Sequence, residues 1–494
     1  MTTQIVVQER VSPSFVGDTP KRLLIGGQWV EARSGETFET ENPTTGKRLA
    51  TVAAGDAADV DAAVRAARRA FEDPAWSGMN PHQRTRVLLR IADAIESHAS
   101  ELAELETLEM GAPLAFSLAN ARKQAEVFRY YAGWPTKLAG TVNPSDTRVL
   151  SYTIRQPLGV CAAIVPWNGP ITLASWKLAP ALACGNTVIL KPAEQAQLSL
   201  LRLGEIVSEC GLPDGVLNIV TGLGEKAGAA IAAHPGIDKV SFTGSTAVGK
   251  KIVAASTGNL KRVTLELGGK SPHIIFADAD IRAAAATAAR GFCLNTGQVC
   301  VAGTRIFVQD AVYDEFLQAM TEVVEAFKVG DPFAETTTMG PLVSSEQFAK
   351  VTSYFAVGKD EGGTARTGGD AFSGPGYFVP PTIFEGLGND STLGRQEIFG
   401  PVALAQRFSS EEEVVRLAND SDYGLAAAIA TNDLSRAHRL ARVIEAGMVW
   451  VNTYLELDPV APFGGFKQSG LGRELGEQSL ESFTETKSVV VRLS

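Results

Sequence analysis

Between residues 159 and 269 short apolar runs recur at near-regular intervals: Val160–Val165, Thr187–Leu190, Val216–Val220, Lys239–Thr243 and Val263–Leu267. Helix-length stretches separate them. Near-continuous apolar strands are buried on both faces, and a strand–helix alternation joins them in parallel with helices covering the sheet. A second alternation runs from His273 to Asn452, with strands expected at His273–Phe276, Arg305–Val308, Val402–Phe408, Ala426–Thr431 and Met448–Asn452. The expected fold class is therefore α/β, with two parallel-sheet units. Ligands of such sheets sit at the carboxyl ends of the strands. Pro166-Trp167-Asn168, Lys191-Pro-Ala-Glu194 and Phe242-Thr-Gly244-Ser245 all fall there.

Residues 57 to 134 read as three helices, because Ala, Leu, Glu and Arg dominate and Val87, Leu88, Ile91, Ala92 and Ile95 recur at helical spacing. Leu23–Val30 and Thr37–Val52 read as short strands, the latter broken by the turn Asn42-Pro-Thr-Thr-Gly46. The Gly-rich stretch Gly362–Gly376 reads as turns. Val149–Ile154 and Lys487–Leu493 are isolated strand candidates that can form a separate small sheet.

The chain has 494 residues, 45% hydrophobic and 20% charged, enough to bury large cores. A net charge of -10 argues against a nucleic-acid surface, which needs a basic face. Cys161, Cys184, Cys210, Cys293 and Cys300 are odd in number and irregularly spaced, so neither a disulfide framework nor a metal site is written here, and a reducing, cytoplasmic setting is expected. The histidines are scattered without an HExxH pattern, and no transition metal is expected. Met1–Pro20 lacks the apolar core of a secretory signal. The uncharged run 157–176 is broken by Pro157, Pro166 and Pro170, so a buried strand, a loop and a helix start are expected rather than a membrane span.

Cys300 lies in Asn295-Thr-Gly-Gln-Val-Cys300-Val-Ala-Gly, a loop of small residues. Buried cysteine is usually inert packing, but Gly297, Ala302 and Gly303 leave room beside the sulfur and free backbone N–H groups for an oxyanion. Glu266 ends an apolar strand and precedes Leu267-Gly-Gly269; a carboxylate there either caps a turn or serves as a base. Gly244-Ser-Thr-Ala-Val-Gly249-Lys250-Lys251 nearly spells a P-loop, but Lys251 replaces the hydroxyl that would hold magnesium, which disfavours a kinase or ATPase. The strand, glycine turn and helix start still suit a dinucleotide pyrophosphate. Lys191 and Glu194 are either solvated or hold ribose hydroxyls, with Glu194 repelling a 2′-phosphate. Asn168 is a turn residue or an oxyanion donor.

Together Pro166-Trp-Asn168, Lys191-Pro-Ala-Glu194, Phe242-Thr-Gly-Ser245, Leu265-Glu-Leu-Gly-Gly-Lys270, Gly297-Gln-Val-Cys300, Glu397-Ile-Phe-Gly-Pro401 and Pro462-Phe-Gly-Gly-Phe-Lys-Gln-Ser-Gly470 resemble the aldehyde dehydrogenase superfamily. The order and spacing match from about residue 22 to 490. The resemblance implies a Rossmann-like NAD-binding domain (22–136 and 158–268), a catalytic domain (269–468), oligomerisation strands (137–157 and 482–494) that pair across subunits, and an N-terminal tail (1–21). It implies NAD-dependent oxidation of an aldehyde to the acid through a thiohemiacetal and a thioester, with NAD favoured over NADP.

By the same resemblance Cys300 is the nucleophile, Asn168 and the Cys300 N–H form the oxyanion hole, and Glu266 activates the hydrolytic water. Lys177 and Glu474 match a proton relay behind that base. Cofactor contacts fall to Pro166, Trp167, Lys191, Glu194, Gly244, Ser245, Gly249, Leu267, Glu397 and Phe399. A homodimer or homotetramer is implied, without nucleic-acid or membrane partners.

Two departures bear on the aldehyde. Gly169 and Leu457 stand where some relatives carry aromatic rings, which widens the tunnel and leaves Trp176 and Phe463 as apolar walls, while Val299 and Val301 flank the thiol without charge. A medium-to-large uncharged aldehyde, aromatic, terpenoid or long aliphatic, is expected. A semialdehyde or betaine-type substrate, and a non-redox cysteine hydrolase or acyltransferase, are the alternatives. The latter wants a histidine base, and no histidine lies in a matching loop.

Overall fold

The computed structural model describes residues 15–493; residues 1–14, most of the N-terminal tail on which the expectation of no secretory signal rests, lie outside the described residues. An eight-stranded sheet runs in the order Gln28–Val30, Leu23–Ile25, Leu217–Ile219, Thr187–Lys191, Val160–Ile164, Lys239–Thr243, Arg262–Glu266 and Gly470–Leu471. Its central strands, from Leu217–Ile219 to Arg262–Glu266, are parallel, and the edges are antiparallel. A seven-stranded sheet runs Thr364–Thr367, Thr382–Glu385, Val402–Phe408, Arg305–Gln309, Pro272–Ile275, Ala426–Ala430 and Met448–Val451, parallel apart from the first pair. The apolar runs become central strands because both of their faces are covered: every residue of Val160–Ile164, Thr187–Lys191 and Lys239–Thr243 is buried.

The helical layer departs from expectation. Five helices, not three, occupy Ala57–Glu72, Pro74–Ser77, Pro81–Ser97, Ala99–Met110 and Leu114–Ala132. Pro74 and Pro81 each open a helix at its first turn, where their missing N–H costs nothing. Gly111, with φ +75°, ends another in the left-handed conformation that a glycine adopts freely. Capping boxes at Asp56/Asp59 and Asn80/Gln83 reinforce two of the starts. The Gly-rich stretch also departs: Thr364–Thr367 is an edge strand paired to Thr382–Glu385, so its glycines punctuate a hairpin rather than forming turns alone.

Val149–Pro157 and Thr484–Arg492 do form a separate sheet with Val142–Asn143. They pair antiparallel within one chain, from Thr484↔Pro157 to Arg492↔Val149. The helix Gln478–Glu481 comes just before the last strand, whose first residue, Thr484, is paired with Pro157.

The uncharged run 157–176 resolves into the strand Val160–Ile164, a loop, and the start of a helix at Pro170. Among the described residues no helix is long and apolar enough to cross a membrane. The helix Pro170–Ala183 is buried along nearly its whole length between the first sheet and the helical layer. Late in the chain, Gly470–Leu471 pairs with Leu265 and Glu266, and Phe463 bridges to Glu474. That hairpin returns a distant segment to the strand that ends in Glu266.

Candidate functional site

Cys300 is half-buried at the end of an unusually tight loop. Asn295 and Thr296 both have positive φ, +49° and +56°, a conformation that costs side-chain-bearing residues energy and is found where the surroundings enforce it. Asn295 contributes to that enforcement, donating from Nδ2 to the carbonyl of Asn168 at 2.9 Å. Asn168 in turn donates from its own Nδ2 to the Gln298 carbonyl at 2.8 Å. The two asparagines lock the loop before Cys300 to the loop after the strand Val160–Ile164.

Behind the thiol lies Leu267-Gly-Gly269. A side chain at Gly269 would put its Cβ 2.3 Å from the carbonyl oxygen of Cys300, and one at Gly268 would put it 2.4 Å from Oε2 of Glu397. At Gly269, which faces backbone, only glycine permits this approach. Glu397 accepts from the Gly269 N–H at 2.9 Å, so the same turn seats both the cysteine loop and a half-buried carboxylate.

Glu266 is 3% exposed, and its Oε2 has no hydrogen-bond partner among the described residues. An unsatisfied buried acceptor costs about 1–3 kcal/mol. Burial, then the neighbouring Glu474 carboxylate, raises its pKa well above the ordinary carboxylate range against the pull of Lys177 and Arg473. Lys177 Nζ donates to Glu474 Oε1 at 2.5 Å and to Thr243 Oγ1 at 2.6 Å. Burial, with the Glu397 and Glu266 carboxylates, pushes the Cys300 thiol up to about 12, partly opposed by the N–H groups of Val301 and Cys300.

Two cavities meet at Cys300, Glu266, Asn168, Leu173 and Thr243. One, of about 230 Å³, follows the carboxyl ends of the first sheet past Pro166, Trp167, Gly244, Ser245, Leu267, Glu397 and Phe399. Trp167 meets Phe399 edge to face at 5.3 Å. Ser245 caps the helix Thr246–Ser256 by accepting from the Val248 N–H. The other cavity, of about 340 Å³, is mainly apolar and is lined by Gly169, Trp176, Val299, Val301, Leu457 and Phe463. Trp176 and Phe463 pack edge to face at 5.2 Å. Gly169 has extended backbone, φ -179°, and a Cβ there would meet nothing nearer than Thr172 at 3.7 Å.

The structure does not gather every candidate into these cavities. Gly249 is packed against Leu267, which a Cβ would meet at 2.7 Å. Lys191 and Glu194 lie further along the sheet: Lys191 Nζ donates to the Pro192 carbonyl at 3.0 Å, and Glu194 accepts from the Gly224 N–H. Several lining residues were not foreseen, among them Lys123, Arg290 and Glu456 in the second cavity and Gln347 and Lys350 in the first. Gln347 and Lys350 share a face of the helix Ser345–Asp360, and Gln347 Nε2 donates to the Phe399 carbonyl at 2.6 Å, holding that residue at its φ of +60°. Their only trace in the sequence is an i, i+3 polar pair, which a solvated helix face shows equally well.

A thiol beside an unpartnered carboxylate, where an apolar tunnel meets a cavity along the strand ends of a parallel sheet, defines an enzyme that brings two small molecules together from different sides. The aldehyde dehydrogenase family model matches residues 29–489. Human retinal dehydrogenase 2 is 45% identical over 475 residues, covering 96% of this chain and 92% of the relative. An NAD+ complex of an aldehyde dehydrogenase from Bacillus cereus superposes with a TM-score of 0.95 at 46% identity, covering 96% of this chain and 97% of that one. An indole-3-acetaldehyde dehydrogenase of P. syringae, in complex with NAD+ and IAA, superposes with a TM-score of 0.94 at 43% identity, covering 96% and 97%. The chain belongs to the aldehyde dehydrogenase family and is an NAD(P)-dependent aldehyde-oxidising enzyme.

The thiol environment sets a pH expectation. With Cys300 held near 12, its alkylation by iodoacetamide in the cofactor-free protein should keep accelerating from pH 7 to 10 as thiolate accumulates. A plateau below pH 9 would show a thiol already ionised.

Proposed function

We propose that this enzyme oxidises a medium-to-large uncharged aldehyde, aromatic, terpenoid or long aliphatic, to its acid with NAD, using Cys300 as nucleophile and Glu266 as the base for hydrolysis. The observation that carries the reading is the position of both groups where the two cavities meet. The thiol attacks the carbonyl carbon, and the oxyanion that develops is met by the Cys300 N–H and by Asn168, a donor worth about 3–4 kcal/mol in such sites. NAD, when bound, supplies the two-electron acceptor for the thiohemiacetal. Glu266, with Oε2 free and its proton affinity raised, takes a proton from the water that attacks the thioester. Lys177 and Glu474 form the proton relay behind it.

The chain's own residues fit the dinucleotide. A cavity runs along the strand ends, Gly244 opens a space that a Cβ would close against the Phe242 ring at 2.4 Å, and the helix beginning at Thr246 offers its N-terminal N–H groups. Gly244 and Ser245 would hold the pyrophosphate region with Gly249 packed beneath, Lys191 and Glu194 the adenosine ribose, and Glu397 and Phe399 the nicotinamide ribose and ring. Pro166, Trp167 and Leu267 complete that wall. The NAD-binding role belongs to 22–136 and 158–268, the thiol to 269–468, and assembly into a homodimer or homotetramer to 137–157 and 482–494. In support of the last, Val142, Leu150, Val490 and Val491 are exposed on the small sheet. The cytoplasm is the proposed compartment.

The apolar walls and the open space beside Gly169 support the substrate class. Gly169→Phe should fold normally and lower kcat/KM for long or ring-bearing aldehydes about 10–100-fold while sparing acetaldehyde. A panel led by succinic semialdehyde or betaine aldehyde would overturn the substrate reading. Glu266→Gln should slow deacylation roughly 100-fold or more and let an acyl-enzyme mass accumulate on Cys300; unchanged turnover removes Glu266 from the step. Glu194 predicts a higher kcat/KM with NAD than with NADP, and equal values would count against its ribose role.

A further inference from the structure

Lys239 begins the strand Lys239–Thr243 and is fully buried. Among the described residues it makes no ion pair closer than 4.0 Å. Its ammonium lies 4.7 Å from the centre of the Phe483 ring and donates a single side-chain hydrogen bond, to Thr264 Oγ1 at 2.9 Å. Burying a cation so thinly compensated is costly, and an apolar side chain would fill the space without that cost.

The bond to Thr264 is the first of a series. Thr264 Oγ1 donates to Ser241 Oγ at 3.1 Å, and Ser241 Oγ donates to Glu474 Oε1 at 3.3 Å. Every member is buried. The direction follows from the ends: an ammonium can only donate and a carboxylate can only accept, so both hydroxyls must point toward Glu474. Oε1 of Glu474 thus receives Ser241 from one side and Lys177 from the other, while Oε2 has no partner among the described residues, like Oε2 of Glu266.

We propose that Lys239, acting through Thr264 and Ser241, is a positioning residue for Glu474: it directs the hydrogen bonds that saturate Oε1 and so leaves Oε2 to exchange a proton with the Glu266 side. This rests on the reading of Lys177 and Glu474 as a relay. No bond changes in the chain while Lys239 stays protonated. When Lys239 loses its proton to solvent, the neutral amine can accept as well as donate, so the chain is free to reverse, with Thr264 donating to the amine and Ser241 to Thr264, and that reversal takes one donor from Oε1 of Glu474. That reversal falls near neutral pH, because burial lowers the Lys239 pKa to about 8; the Cys161 thiol and the Glu474 carboxylate oppose the shift, while the Lys177 and Arg262 cations reinforce it.

The test separates the two half-reactions in Thr264→Val, which cuts the chain isosterically, in Lys239→Met, and in Thr264→Ser, which keeps the hydroxyl. In the first two, the pre-steady-state burst of NADH should be unchanged, while deacylation falls roughly tenfold, the worth of a hydrogen bond to a charged group. The change in deacylation near pH 8 should also vanish. Thr264→Ser should restore both. Wild-type deacylation and pH profile in Thr264→Val overturn the proposal, as does an equal loss of burst and deacylation, which marks a structural role. Glu474→Gln distinguishes the underlying reading: if it leaves deacylation unchanged, relay and proposal fall together, whereas if it alone slows deacylation, only the role of Lys239 falls.

Discussion

The site depends on how closely two stretches of backbone approach at Gly268-Gly269. The strand that ends in Glu266 has to turn immediately, and it turns against the Cys300 carbonyl and the Glu397 carboxylate with no space for a single added carbon. Were that turn wider, the carboxylate and the thiol would belong to separate surfaces, one on each sheet. Because it is tight, the first sheet delivers Glu266, the second unit delivers Cys300, and the crossing asparagines Asn168 and Asn295 hold the two loops in register.

This closeness has an electrostatic consequence. Lost hydration raises the proton affinity of Glu266, Glu397 and Cys300, and neighbouring carboxylates add to it in two cases, Glu474 at Glu266 and both Glu397 and Glu266 at Cys300. The cofactor-free site is therefore biased toward neutral, resting groups. Lys177, bonded to Glu474 and Thr243, opposes part of that rise at Glu266.

Much of this was legible in the sequence, for physical reasons that differ from element to element. The central strands stood out because burial on both faces leaves continuous apolar runs, and Cys300, Glu266 and Asn168 stood out because functional loops follow such runs. The helix count did not, since Pro74, Pro81 and Gly111 interrupt a composition that stays helix-favouring throughout. The small sheet was legible as two strands that could pair, but not in its register, because partnership between segments more than 300 residues apart leaves no local mark. Gln347 and Lys350 were hidden for the same reason: their role comes from Phe399 and the cavity, not from their helix.

The two cavities share only the residues around Cys300 and Glu266, and each has its own walls beyond that point. Such an arrangement uncouples traffic. An occupant of the apolar passage can leave while the other cavity stays filled, and the occupant of that other cavity can be exchanged while the passage is filled. The order of departures is then set by the relative lifetimes of the two occupants and not by one blocking the other's exit, so the walls of one cavity can change in size without redesign of the other.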